Sequence, residues 1–466
     1  MTSPTNSKDV LAALWRHAAQ PYAGLEAVDL TGTEPVLPST FAVGTAAQTT
    51  IAAAALAAAE LWRLRTGRGQ RVAVDMRDAA IEFRSERYMR VNGEPPQELW
   101  DKIAGLYRCG DGRFVRLHTN FPHHRDGVLK LLACDYDRAA VQRALEDWQA
   151  EAFETAAAEA GLVVTATRSF AEWDAHPQGR AVANLPVFTI ERIGDAPPRA
   201  LPPGDRPLSG VRVLDLTRVI AGPVCGRTLA VHGADVMLVT AAHLPQMGPL
   251  VIDSGRGKLS TFIDLRDPGG RDRLGALLRD ADIFVQGYRP GAIANDGFSP
   301  EQAAQLRPGI VYVSLSAYGH EGPWAGRRGF DSLVQNANGL NHAEAEAAGS
   351  EQPKPLPCQA LDHSAGYLMA FGAMTAVARR VTEGGSWHVR VSLAQTGHWF
   401  RGLGRVPNGL TAKDLKSDDV RDRLEERDSG FGRLTTVRHA AAMAETRPHW
   451  ARPSVPLGTH PPVWPK

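Results

Sequence analysis

The stretch Leu361-Asp362-His363-Ser364-Ala365-Gly366 sets an acid and an imidazole side by side at the head of a long apolar run. A carboxylate there can act as a nucleophile toward an activated acyl group, splitting one difficult transfer into easier steps through a mixed anhydride. It must be ionised to attack, so it needs backbone N–H groups or positive charge nearby. The small residues Ser364, Ala365 and Gly366 leave room for a bulky substrate and for close backbone approach. Asp362 can also be read as the capping residue of the helix that follows, whose N-terminus favours an anion. The residues by themselves leave both readings open. His363 is a candidate acid/base, but neighbours on a helix point about 100° apart, which makes one shared substrate atom awkward. His118, His123 and His124 show no metal-ligand spacing with acids and read as surface or loop residues. Cys109, Cys134, Cys225 and Cys358 are scattered, so no C-x-x-C metal or redox motif is present.

The elements that position Asp362 can be read from pattern. Val211–Leu216 is an apolar strand, followed by a Gly/Pro turn at Ala221-Gly222-Pro223 and a helix ending near Gly233. Asp235–Val239, 259–264, Ile283–Val285 and Ile310–Ser314 read as further short strands, with a helix over 270–280. Short apolar strands alternating with helices predict βαβ units around a parallel sheet, with ligands beyond the carboxyl ends of the strands. Upstream, Ala46–Arg65 reads as a helix stopped by Gly67 and Gly69, then a strand over 71–76. Residues 104–118 read as a hairpin turning at Gly110-Asp111-Gly112, and 136–160 as helical. The Pro-rich stretch 195–207 is the clearest domain boundary. Residues 50–76 echo 366–393: apolar helix, arginine, Thr, paired glycines, then a V-x-V strand. Only the second copy is preceded by an acid; Thr45–Thr49 has none.

The chain has 466 residues, enough for roughly two or three packing units. A formal net charge of +1 gives no global field for nucleic acid. The N-terminus lacks the apolar core of a signal peptide, and the apolar run Ile51–Leu61 is too short to span a bilayer and reads as a buried helix. Four unclustered cysteines fit a reducing compartment, so a cytoplasmic protein without membrane or nucleic-acid partners is expected.

Six segments then carry a specific likeness. LSGVRVLDLTRVIAGPVCGRTLAVHGADVMLV (208–239), FIDLR (262–266), FVQGYRPG (284–291), VSLSAYGHEGPWA (313–325), RRGFDSLVQNANG (327–339) and LDHSAG (361–366) resemble, in order and spacing, the class III CoA transferases (CaiB/BaiF type, formyl-CoA and carnitine-CoA transferases). The resemblance implies a Rossmann-like parallel sheet domain with a second, smaller α/β domain. It implies CoA transfer from an acyl-CoA donor to a carboxylic acid, with Asp362 as nucleophile, no metal or other cofactor, and an interlocked homodimer. For CoA contacts it points to Val219, to Ile263, Asp264 and Leu265 near the adenine, to Gly287, Tyr288, Arg289 and Pro290, and to Arg328. Arg289 and Arg328 suit phosphate, although surface ion pairing remains open for both. Ala241 and Asn295 stand where many members have arginine, so Arg256 or Lys258 are candidate substitutes. Gly384 and Gly385 resemble the family's glycine-rich turn or are a plain helix stop. The family's racemase branch has histidine before the aspartate of its G-x-D motif; here Phe330 stands there, and it cannot serve as a base. An α-methylacyl-CoA racemase and a non-catalytic acyl-CoA-binding protein are the alternatives.

The order of segments departs from the family. Residues 41–200 resemble its later half, which normally follows the aspartate. The expected organisation is an N-terminal arm (1–40), that later half (41–200), the CoA-binding Rossmann-like region with Asp362 (207–400) and a closing segment (401–466). A permuted member and an inactive half fused to an active one both fit this order.

Overall fold

A computed structural model describes residues 5–465; residues 1–4 of the expected arm and Lys466 lie outside the described residues. The strands expected over 211–216, 235–239, 259–264, 283–285 and 310–314 join the V-x-V strand of the second repeat and a strand at 188–194 that the pattern did not show, forming one seven-stranded sheet. Its order is Lys258–Phe262, Asp235–Thr240, Arg212–Leu216, Ile283–Gln286, Val311–Ser316, Ser386–Ser392 and Phe188–Gly194. The first six are parallel and the last is antiparallel. Strand residues alternate between two buried faces. Val213, Val236, Val285 and Val313 face one core, while Leu214, Met237, Phe284 and Tyr312 face another. Burial on both faces is why these strands read as continuous apolar runs in the sequence. Helix Pro268–Arg279 covers the second face through Leu274, Leu277 and Leu278. Helices Ala221–Val231, Ala360–Glu383 and Val43–Thr66 fill the first.

The internal repeat is a structural pair. Val43–Thr66 and Ala360–Glu383 are both 24-residue helices and pack directly against each other. Their first caps have nearly the same backbone, φ −77° and ψ 63° at Ala42 against φ −79° and ψ 65° at Gln359. Both end at a glycine with positive φ, Gly67 and Gly384, whose N–H donates to Arg63 O and Arg380 O. The strands that follow part company. Ser386–Ser392 joins the large sheet, while Val72–Asp75 lies in a three-stranded sheet between Val28–Thr31 and Ala441–Met443.

A smaller α/β unit stands apart in its packing. Strands Gly105–Arg108, Phe114–Leu117 and Val164–Ala166 are antiparallel, and their core is closed by Val128, Val141, Leu145 and Phe153. The helical stretch expected over 136–160 is two helices, Arg138–Leu145 and Ala150–Glu159. The break lets Gly110 come so close to Glu146 O that a Cβ there would lie 2.1 Å from it.

The Pro-rich stretch 195–207 joins two strands of the same large sheet, Phe188–Gly194 and Arg212–Leu216. It is anchored by Gly385 N–H donating to Ala196 O and by Arg199 beside Asp282 at 3.3 Å. The sequence shows its prolines but not these anchors. The arm preceding residue 41 holds a helix, Ser7–His17, and the strand Val28–Thr31. The closing segment reaches back to the sheet, with His460 N–H donating to Ser260 O and Trp464 Nε1–H to Leu277 O. Among the described residues, no helix is long and apolar enough to cross a membrane.

Candidate active site

The strand order reverses at Arg212–Leu216, whose neighbours lead away in opposite directions. The loops after Leu216 and Gln286 therefore diverge and leave a crevice at the carboxyl ends of the strands. Thr217 N–H donates to Asp215 Oδ1 at 3.1 Å and Tyr288 N–H to Gln286 Oε1 at 2.9 Å, which fixes both loop starts. Between them Val219 is held at φ 74°. A β-branched residue in that region is strained, by roughly 1–3 kcal/mol, and such strain gathers at functional sites.

This crevice is a cavity of about 410 Å³. Arg218, Arg289, Arg327 and Arg328 stand in its wall, and among the described residues none has a carboxylate within 4.0 Å. Arg328 Nη1 donates to Gly161 O at 3.0 Å; Arg327 lies 4.1 Å from the Trp324 ring centre and Arg218 5.2 Å from that of Phe121. Four guanidiniums free of carboxylate partners around one crevice make its wall cationic and suit it to an anion. Of the residues singled out from the sequence, Val219, Gly287, Tyr288, Arg289, Pro290, Arg328 and Asp362 share this wall. Ile263, Asp264 and Leu265 are outside it. Ile263 is buried in the second core, and Asp264 pairs with Arg266 at 2.6 Å.

Two expectations need correction. Arg256 and Lys258 are not free for phosphate. Lys258 Nζ is buried 2.7 Å from Asp215, and Arg256 Nη2 is buried 2.8 Å from Asp253. His118 and His124 are not surface residues. Both are buried, and His118 stacks on Phe330 with ring centres 3.9 Å apart. Burial pushes the pKa of each down to about 3, so both rings are neutral. Together with Phe121 and His123 they line the site. Arg218, Arg327 and this histidine segment were missed. For Arg218 the available signal was its place beside Val219 in the first turn.

Asp362 sits in the first turn of helix Ala360–Glu383, 7 % exposed. It does not cap that helix. The cap position is Gln359, and the orphan N–H groups of Leu361 and Asp362 donate to Asp331 Oδ2 at 2.8 and 2.9 Å. Capping from a second helix leaves the Asp362 carboxylate free; among the described residues no hydrogen-bond donor reaches it. Its pKa is raised well above the ordinary value, first by burial and then by the charges of Asp331 and Glu86. Burial likewise raises Asp331, to about 6. His363 is turned into the core, stacked on Phe83 at 5.2 Å with Nε2 3.4 Å from Glu86, and lies in neither cavity wall. Gly366 permits the close approach of the next helix: a Cβ there would lie 2.5 Å from Ala221 O.

The twin helix repeats this capping without the acid. Glu34 Oε1 accepts from Thr45 N–H at 2.7 Å, as Asp331 does from Asp362, so Thr45 stands where Asp362 would. Val36 and Met76 press on Gly44 closely enough to fill that end.

Asp362 also borders a second cavity of about 380 Å³, which shares Val219, Ile220 and Phe330 with the first. The carboxylate thus lies at the junction of two spaces, one cationic.

The chain belongs to CoA-transferase family III, whose model matches residues 13–199 and 208–452. It is 29% identical to an acetyl-coenzyme A transferase, nodX, of Hypoxylon pulicicidum, over 64% of this chain and 54% of that one. It is 32% identical to an acyl-CoA transferase of Gibberella moniliformis, over 64% of this chain and 58% of that one. It is 33% identical to the succinyl-CoA:glutarate CoA-transferase of Homo sapiens, over 37% of this chain and 41% of that one. The chain spans about half the length of the curated relatives it matches. Among solved structures it is similar to Rv3272 from Mycobacterium tuberculosis, with 28% identity, a TM-score of 0.39, and coverage of 42% of this chain and 59% of that one.

Proposed function

We propose that the chain moves CoA from an acyl-CoA donor to a carboxylic acid through Asp362. The observation that carries this reading is a buried carboxylate, relieved of capping by Asp331, at the junction of an arginine-lined crevice and a second cavity. CoA carries a pyrophosphate and a ribose phosphate, and Arg218, Arg289, Arg327 and Arg328 suit those anions. Val219, Gly287, Tyr288 and Pro290 shape the crevice around the pantetheine arm. Ile263, Asp264 and Leu265 are assigned to the adenine end, beyond the crevice.

The chemistry balances without a net proton. Asp362 attacks the thioester carbonyl as its ionised carboxylate, a form that burial beside Asp331 and Glu86 makes costly and therefore reactive, and the CoA thiolate leaves, giving a mixed anhydride. The thiolate then attacks the aspartyl carbonyl and expels the donor carboxylate, giving an aspartyl-CoA thioester. The acceptor carboxylate attacks that thioester and the thiolate leaves again. Thiolate attack on the acceptor carbonyl releases the new acyl-CoA and restores Asp362. Backbone N–H groups at Val219, Ile220 and the start of helix Ala221–Val231 border the site and suit the developing oxyanions.

Phe330 favours this reading over α-carbon epimerisation, because its ring fills the place where a base is needed. The segment order is proposed to be rearranged, with the helix at Val43–Thr66 an inactive counterpart of the Asp362 helix. A homodimer in a reducing compartment is also proposed; light scattering of the purified protein reads the first. The test of function is label exchange. Acyl-CoA is incubated with isotopically labelled free acid, and label entering the thioester is measured. Transfer that vanishes in Asp362→Asn supports the proposal; transfer retained in that variant contradicts it.

A further inference from the structure

The two cavities that meet at Asp362 differ in charge. The first has four guanidiniums, none of them paired with a carboxylate among the described residues, and Asp362 as its only acid. The second is walled by the carboxylates Glu86, Glu98 and Asp331 and by apolar surface from Leu99, Trp100 and Met247. The only guanidinium in its wall, among the described residues, is Arg87, and it lies 3.6 Å from Glu86 Oε1. Arg116 lies 5.5 Å from the Trp100 ring centre and is not in the wall. His118, which does line the cavity, is buried and neutral, with an unpartnered Nδ1. Glu86 is also buried, with its Oε2 facing His363 Nε2 at 3.4 Å and its Oε1 facing Arg87. Besides Asp362, a ligand here meets Glu98, Asp331 and a Glu86 already matched by Arg87, together with an apolar wall and no unpaired cation among the described lining residues.

We propose that this second cavity seats the acyl body of the donor and of the acceptor acid, and that its acidic, apolar wall selects monocarboxylic acids over dicarboxylic ones. The inference rests on the transferase reading above and adds the substrate class. The reacting carboxyl lies at Asp362: in the donor it is a thioester and in the intermediates an anhydride, both uncharged, and the acceptor's carboxylate loses its charge there when it attacks the aspartyl thioester. A second carboxylate at the far end would enter an anionic, partly dry space, and no wall group would neutralise it. The human relative is named for two dicarboxylates; the wall of this cavity points the other way.

The test compares thioesters of equal length. Butyryl-CoA and succinyl-CoA are offered to the full chain, and both kcat/KM and the hydroxylamine-sensitive adduct on Asp362 are measured. Butyryl-CoA is expected to be favoured at least ten-fold. Glu98→Arg, on an exposed loop, is expected to narrow that preference at least three-fold by raising the rate with succinyl-CoA. Equal trapping of the two thioesters by the unaltered protein overturns this inference and leaves the transferase reading standing. So does an unchanged preference in Glu98→Arg. No adduct with either thioester or with a wider panel overturns the transferase reading itself, and this inference with it.

Discussion

Replacing the nucleophile should make the protein more stable at neutral pH. Asp362 and Asp331 are buried together, and both have raised pKa values. For Asp331 the folded value is about 6 against an ordinary 3.8. Between these values the folded state binds more protons than the unfolded state, so stability falls as pH rises and the full loss is reached above about 6. At about 1.4 kcal/mol per pKa unit, the 2.2-unit shift sets an upper bound of about 3 kcal/mol for Asp331. Asp362 shifts in the same direction, from burial first and its carboxylate neighbours second. In Asp362→Asn the cost of ionising Asp362 disappears and Asp331 loses its like-charged neighbour. Glu86 and Asp253 shift the opposite way and act at lower pH; taking the difference between variant and unaltered protein removes them. Urea unfolding at pH 5.0, 6.0 and 7.5 reads the effect. Asp362→Asn is expected to gain roughly 1–3 kcal/mol at pH 7.5, with the gain shrinking toward pH 5. A difference that stays constant with pH, or that grows as pH falls, refutes the reasoning.

Other outcomes follow from the same geometry. Arg289→Ala should raise KM for acyl-CoA roughly ten-fold or more with a smaller change in kcat, as loss of a charge-assisted contact to phosphate requires; steady-state kinetics at two salt concentrations checks this. Gly366→Ala should cost roughly 1–3 kcal/mol, because its Cβ would lie 2.5 Å from Ala221 O and push two helices apart; thermal unfolding measures it. Lys258→Met should cost roughly 3–5 kcal/mol by leaving Asp215 buried without its partner, and its loss should track stability rather than KM. Thr45→Asp should not add a second acyl adduct, since Val36 and Met76 fill that helix end; adduct stoichiometry from intact mass should stay at one per chain.

The large sheet was legible because strands such as Arg212–Leu216 and Ile283–Gln286 are buried on both faces and so read as apolar runs. Asp362 was legible as an acid ahead of small residues, and the paired 24-residue helices as a sequence repeat. What decides between cap and nucleophile was not legible. Asp331 takes the N–H groups of Leu361 and Asp362 from some thirty residues away, and a tertiary hydrogen bond leaves no local pattern. His118 and His124 look like loop residues because imidazoles are usually wet; here Phe330 and Phe121 cover them. Arg256 and Lys258 look like free cations until Asp253 and Asp215 are seen beside them.

The central claim is that Asp362 takes up the acyl group and then CoA. The most direct measurement is trapping: incubate the protein with a panel of acyl-CoAs, quench with hydroxylamine or borohydride, digest, and map modified peptides by mass spectrometry. A modification on Asp362 that is absent from Asp362→Asn is the predicted result. CoA binding with no adduct at Asp362 from any donor, or an adduct that persists in Asp362→Asn at another residue, would contradict it.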